Sequence, residues 1–511
     1  MPDHSPSLAQ YYHERTKYNP KTLANRELDW SKQPIPFKEY RIGASFDLNP
    51  YLNREPGAID KDQEWQRLSR LLFCSYGLTM RIITMNGDPV YLRAAPSAGG
   101  LYPAEVYLLS RGTPLLPAGL YSYQPQTHSL IQFWDNEVWS SLQSACFWHP
   151  SLDATQVAIV VTAVFYRSAW RYLDRAYRRV FLDSGHLLGN IELASAINDY
   201  RPHLIGGFMD EAINRLLYLD SVQEATLAVV ALADLLELRQ NLSVAPTALA
   251  SQTQTSYPEI ADGELLSYLH QASSIAELPD PPTLKEIVTA QPNQTTPAQS
   301  DKYNFPFCLK VPMATAAIEW GEHLAELEET LLKRRSTRSY SGDSLKLEEL
   351  QALLNFTYQP QDYFEQGLDR HPDYFDLSLI ETFIAVSAVE GLEEGCYYYA
   401  PKAQELRQIR FKNFRQELHM LCLGQNLGRD AAVVLFHTAD LKKAVAQYGE
   451  RVYRYLHMDS GHLGQRLNLA AIHLGLGVSG IGGFFDDEVN ELLGIPTDEA
   501  VLYITTLGRP K

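Results

Sequence analysis

The chain has 511 residues, is 45% hydrophobic and 21% charged, and carries a formal net charge of -17 with a pI near 5.3. The length predicts two or three domains, and the composition is that of an ordinary globular chain. The acidic balance argues against nucleic acid or an anionic membrane surface as a partner. No apolar run approaches the roughly 18 residues of a membrane span. The polar start MPDHSPSLAQYYHERTK carries no signal-peptide pattern. Cys74, Cys146, Cys308, Cys396 and Cys422 are scattered and form no CxxC, which predicts reduced core thiols in a cytoplasmic protein.

In chain order, the spacing of Leu68, Leu71 and Leu72 in EWQRLSRLLFCSYGL predicts an amphipathic helix. The small-residue loop PSAGG (96–100) follows, then a strand, AEVYLLS (104–110). GLYSYQP and SLIQF form a hairpin around QPQTH. VAIVVTAVF is a further strand, succeeded by a long helix through Asp183-Ser184-Gly185-His186 and a closing strand, ATLAVVALA. Asp and Ser of that DSGH block read as helix N-caps. Residues 241–316, rich in Ser, Thr, Gln and Pro, read as an exposed connector, with a short helix in DGELLSYLHQAS.

The same order then recurs at an offset of 276. DSGH at 183–186 falls on DSGH at 459–462, IGGFMDEAINRLL on IGGFFDDEVNELL, and Glu105 on Glu381. A period this long is a duplicated domain. The expected division is 1–240, a connector at 241–316, and 317–511. Helices and strands mix without a strict βαβ rhythm, so the expected fold class is α+β.

GLGVSG (475–480) fits GxGxxG, but the segment before it is helical, which argues against a dinucleotide fold. A helix C-terminus with left-handed glycines leading into a loop is the better reading. KRRSTRSYSGDSL (333–345) gathers Arg334, Arg335 and Arg338 around Ser336 and Thr337. It reads either as a solvated basic patch or as a phosphate cradle, because guanidinium forks and hydroxyls match phosphate oxygens. The chain end adds Arg509. No metal-ligand spacing, P-loop, HExxH or GxSxG is present.

Together RRSTRSY, PSAGG, GLGVSG and the terminal GRP resemble the FMN-dependent nitroreductase-like superfamily. The first half is similar to its SagB-type branch, the azoline-oxidising dehydrogenases of modified-peptide pathways. The residues that carry this are HERTKY (13–18), LDWSKQPIPFKEY (28–40), RAAPSAGGLYPAEVYLL, GLYSY and DSGH. That branch carries a catalytic Lys-Tyr pair; the matching positions here are Arg171-Tyr172 and Gln447-Tyr448.

The resemblance implies a flavin between two subunits, here between two fused halves forming an intrachain pseudo-dimer. Pro96, Ser97, Ala98, Gly99 and Gly100 of the first half would face Arg334, Arg335, Ser336, Arg338, Gly480, Ile481 and Arg509 of the second. A backbone N–H near Gly480 or Ile481 would meet the flavin ring, and Tyr172 or Tyr448 would exchange the proton. In the reciprocal cleft PSAGG becomes Pro372-Asp373-Tyr374-Phe375-Asp376 and Arg509 becomes Ala233. One FMN per chain is therefore expected, with NAD(P)H as a candidate electron donor and a small molecule or peptide as substrate. A degenerate, non-catalytic flavin- or peptide-binding protein is the alternative.

Overall fold

Sixteen strands can be followed among the described residues of the computed structural model, which are all but 1–4, 22, 24–26, 53–60, 84–86, 88, 238–244, 291–300 and 304–306. They are β1 (Ala44–Asp47), β2 (Leu78–Ile83), β3 (Pro89–Arg93), β4 (Ala104–Ser110), β5 (Gly119–Gln124), β6 (Ser129–Trp134), β7 (Val157–Val164), β8 (Tyr200–Ile205) and β9 (Glu224–Asp234) in the first half. The second half holds β10 (Lys310–Pro312), β11 (Glu381–Val386), β12 (Gly395–Ala400), β13 (Glu405–Arg410), β14 (Val433–Asp440), β15 (Gly477–Ile481) and β16 (Glu499–Gly508).

Two seven-stranded antiparallel sheets result, ordered β1-β6-β5-β4-β7-β9-β8 and β10-β13-β12-β11-β14-β16-β15. The duplication reaches the irregularities. The ladder slips between Val161 and Thr162 in β7, and between His437 and Thr438 in β14, positions 276 apart. A bulge adds local twist, and the two sheets take it at the same place. β4, β5 and β12 are buried throughout, because helices cover both faces of each sheet. The fold is α+β in two tandem copies.

The helices Ala176–Ile197 and Val452–His473 lie between the sheets, 22 residues each, and are apolar or buried on almost every side. They pack against each other more extensively than any other two helices. The crossing is made by Gly185 and Gly461. A Cβ on Gly461 would stand 3.0 Å from the Gly185 Cα and closer still to the Leu182 carbonyl oxygen. The DSGH glycines thus let two backbones touch.

Each half also grips the other by charge. Arg175 and Arg178 reach Asp486 at 2.8 and 2.7 Å, while Arg451 and Arg454 both reach Asp210 at 2.6 Å. All six residues are buried. Burial disfavours the ionised carboxylates, yet the paired guanidiniums hold Asp210 and Asp486 below the ordinary range.

Three expectations need correction. Asp183, Ser184 and their counterparts lie in the middle of the long helices, so they are not N-caps. GLGVSG does begin as a helix C-terminus, with Gly475 left-handed (φ 70°) just after the helix ending at His473, but Gly477 to Ile481 form the strand β15 and not a loop. The connector is not merely exposed. Ile260, Leu265 and Leu269 are buried, the last two in the helix Leu265–Ala272, and Thr247 and Ser251 bond the carbonyls of Tyr374 and Tyr448. Residues 241–244, 291–300 and 304–306 of that stretch lie outside the described residues. Of the cysteines, Cys308 is half-buried and the other four are buried. No helix among the described residues is long and apolar enough to cross a membrane.

Candidate functional site

β15 is an edge strand, and its free edge faces the first half. Thr337 covers part of that edge: its N–H donates to the Val478 carbonyl, and the Val478 N–H donates to its hydroxyl. Outward-facing groups alternate along an antiparallel edge. Two residues on, the Gly480 N–H therefore points the same way, beyond the reach of Thr337. Gly480 is exposed, whereas Ile481 is buried in the core. Gly480 has no space for a side chain, since a Cβ would collide with the Tyr503 hydroxyl.

The opposite wall is the 96–100 loop. Asp183 fixes it: Ser97 Oγ donates to its Oδ2 at 2.6 Å, and the Ala98 N–H reaches both oxygens at 3.1 Å. Burial pushes the Asp183 carboxyl up to about 7, although these bonds favour its charged form. Gly99 has φ +67°, and an added Cβ would lie 2.7 Å from the Tyr172 hydroxyl. Gly100 shares the left-handed φ but is exposed, with open space where a side chain would stand.

Between these walls is a cleft lined by Pro96, Ser97, Ala98 and Gly99 from one half and Ser336, Arg338 and Gly480 from the other. The structure thus brings seven of the sequence-derived residues together. Arg334 and Arg335 stand just behind. The buried Arg334 donates to the carbonyls of Ala94 and Arg93, and Arg335 donates to that of Thr79, so both tie the motif to the opposite half. Burial pushes the Arg334 guanidinium down to about 10. Arg509 is turned elsewhere, pairing with Glu349 at 2.7 Å.

The two tyrosines part company. Tyr172 adjoins Gly99 at the cleft. Tyr448 belongs to the reciprocal side, donating to Asp376 at 3.1 Å. There Asp459 accepts the N–H groups of Phe375 and Asp376, as Asp183 does for the first loop. Phe375 stacks on Tyr455 at 4.6 Å, and Tyr374 lies 4.4 Å from the His462 ring. The connector's Thr247 donates to the Tyr374 carbonyl, and the Tyr455 hydroxyl donates to the Leu249 carbonyl at 2.9 Å. About 20 Å³ remains free on that side, against about 90 Å³ in the cleft.

Sequence reasoning missed Arg179, Asp183, His186, Asn468 and Tyr503 as cleft residues. All sit on the long helices or the last strand, where burial makes them read as core. His186 Nδ1 meets Gln465 Oε1 at 2.9 Å, and Gln465 spends its amide on Asn190. Nδ1 therefore carries the proton, and the Tyr503 hydroxyl donates to Nε2 at 2.8 Å. Burial holds the imidazole neutral, down to about 3. A larger groove, about 610 Å³, is lined by Phe411, Met420 and Leu492 and contains none of the sequence-derived residues.

A flavin nucleotide fits the chemistry of the cleft. Buried nitrogens of Arg334 and Arg335 lack hydrogen-bond partners, and Arg338 stands exposed at the rim, so anionic groups would be matched. The walls meet a flat ring with small residues. The enclosed volume, about 90 Å³, is below the roughly 300–1,000 Å³ of small-molecule sites.

Comparison with known proteins bears on the fold and the family. The Nitroreductase family model matches residues 68–234 and again 331–509. A crystal structure of a protein from Anabaena variabilis, provisionally described as a nitroreductase, is 67% identical, with a TM-score of 0.93, 99% of this chain covered and all of that one. A protein from Methanocaldococcus jannaschii with the same provisional description is 35% identical over 184 residues, 36% of this chain and 91% of its own. The microcin B17-processing protein McbC of Escherichia coli is 28% identical over 142 residues, 27% of this chain and 52% of its own.

Proposed function

Because the chain belongs to the nitroreductase family, we propose that it is an FMN-dependent oxidoreductase with one flavin per chain, held in the cleft between its halves. Family membership supports flavin-type oxidoreductase chemistry in general; the cofactor's place and number are our reading. One observation carries it. Ser97–Gly99 and the 336–338 segment meet across one cleft, while Tyr374 and Phe375 fill the reciprocal one.

The flavin supplies two-electron transfer; the protein positions it and excludes water. Ser336 and Arg338 would hold its phosphate and electron-rich side, with Arg334 and Arg335 setting the motif's position. The Gly480 N–H would donate to the ring, and Gly99 would let the loop lie flat against it. Tyr172 is the proposed proton donor or acceptor. Arg509 would have to leave Glu349 to contribute. The similarity to a microcin-processing protein supports a peptide-like substrate alongside small electrophiles. Arg171 replaces the lysine of the azoline-oxidising branch, so flavin chemistry is proposed here without that specific reaction.

Absorbance of the purified, FMN-reconstituted protein tests the proposal. The expected result is one flavin per chain, with Arg338→Gln weakening binding roughly 10-fold or more. Colourless protein that takes up no added FMN overturns it. Anaerobic bleaching by NAD(P)H then identifies the electron donor.

A further inference from the structure

Most buried arginines of this protein have a carboxylate. Arg167, Arg175, Arg178, Arg451, Arg454 and Arg466 each pair with an Asp or Glu at 2.6–2.9 Å. Arg179 does not. It is 7% exposed and lines the cleft, yet its guanidinium makes no hydrogen bond or ion pair with any described residue. One face is stacked on Tyr172, 3.7 Å from the ring centroid. Gly482 lies beside it, where a Cβ would come within 2.8 Å of Nη1. The cleft carboxylate Asp183 feels the Arg179 charge but makes no ion pair with it, its oxygens being bonded to Ser97 and Ala98. The equivalent residue on the reciprocal side is Tyr455, which stacks on Phe375. The charge exists only where the cleft is open.

Its place along the cleft separates it from the phosphate motif. Thr337 meets the edge at Val478, and Arg179 meets it at Gly482. Four residues of extended chain span about 13 Å. The cleft thus has a cation at each end, and the proposed flavin phosphate uses the 336–338 end. A buried guanidinium without a directly bonded counter-ion is costly, and a ligand that supplies one is favoured over a neutral isostere. A lone planar fork suits a carboxylate, which it can meet with two parallel bonds.

We propose that Arg179, stacked on Tyr172, is the residue that recognises a carboxylate on the substrate. This rests on the flavin occupying the same cleft, as proposed above. The test is a titration of the oxidised, flavin-loaded protein with benzoate and with benzamide, read by perturbation of the flavin spectrum and by calorimetry. The expected result is benzoate binding at least about 10-fold tighter than benzamide. In Arg179→Gln that preference disappears, with benzamide affinity and flavin content unchanged; Arg179→Lys keeps part of it. Equal affinity for the two probes in the natural protein, or no benzoate binding, overturns the inference while leaving the flavin reading intact. Loss of flavin in Arg179→Gln overturns it too, by placing the guanidinium on the cofactor. Protein that binds no flavin at all fails both readings.

Discussion

Replacing Gly461 by alanine tests whether the two halves are held in register by backbone contact. The new Cβ would stand 3.0 Å from the Gly185 Cα, 3.1 Å from the Leu182 carbonyl carbon, and closer still to its oxygen. Ordinary contact begins near 3.4 Å, and all three obstacles are backbone, which cannot swing aside. The helices have to separate by about 1 Å, in an interior packed as densely as a crystal. Overpacking costs about 3 kcal/mol at the upper end of its usual range. Alanine returns about 1 kcal/mol of helix propensity, leaving a net loss of about 2 kcal/mol. Gly189→Ala is the control: it lies on the same helix and gains the same propensity. Its Cβ would meet only side-chain atoms of Gln465 and His462, at 3.0–3.2 Å, which can shift. Urea and thermal midpoints should fall clearly for Gly461→Ala and stay level or rise for Gly189→Ala. Equal midpoints for the two variants would refute the crossing argument.

The remaining expectations concern charge and the filled cleft. Asp486→Asn leaves Arg175 and Arg178 buried without a counter-ion, and should cost about 3–5 kcal/mol in denaturant unfolding, as should Asp210→Asn. Asp183 has its folded-state carboxyl raised to about 7 by burial. Its contribution to stability is therefore complete below the unfolded value near 4 and is lost as the pH rises towards 7. Asp183→Asn should flatten the pH dependence of stability across that window; an unchanged slope counts against the buried carboxyl. Phe375→Ala removes the ring stacked on Tyr455 and should cost about 3–5 kcal/mol. Flavin should stay at one per chain by absorbance, because among the described residues the arginines beside that side, Arg201 and Arg466, are already paired with Asp369 and Glu192; a second flavin would show that the aromatic plug alone closed it.

Much of this architecture was legible because duplication speaks twice. Apolar runs such as VAIVVTAVF and VVLFHTAD mark the central strands, and the 276 offset aligns them. The strands that escaped notice are short, polar or at edges. YRPHLI (β8) contains a proline, and GVSGI (β15) is mostly small. The motif pair PSAGG and RRSTR pointed to one cleft, and six of their residues, Pro96, Ser97, Ala98, Gly99, Ser336 and Arg338, line one. What sequence reading could not provide was long-range partnership. Asp183 resembles a cap by its neighbours, but its partner is Ser97, 86 positions away. Gly185 resembles a helix break until a second helix is laid across it. Arg334 resembles a phosphate ligand by its neighbours, but two of its nitrogens are given to carbonyls of the other half, and only Nη1 is left without a partner. The connector misled by composition: a few apolar residues, Leu249, Ile260, Leu265 and Leu269, suffice to anchor a stretch that is otherwise polar.

Joining the halves in one polypeptide changes how the cleft responds to dilution. In a two-chain arrangement its walls would meet only as often as subunit concentration allows. Here the tether keeps them at a high effective concentration whatever the cell's supply of protein. A single substitution also alters one wall rather than two symmetric copies. Each wall has therefore been free to drift: one face kept its arginines and glycines, and its mirror image became solid packing.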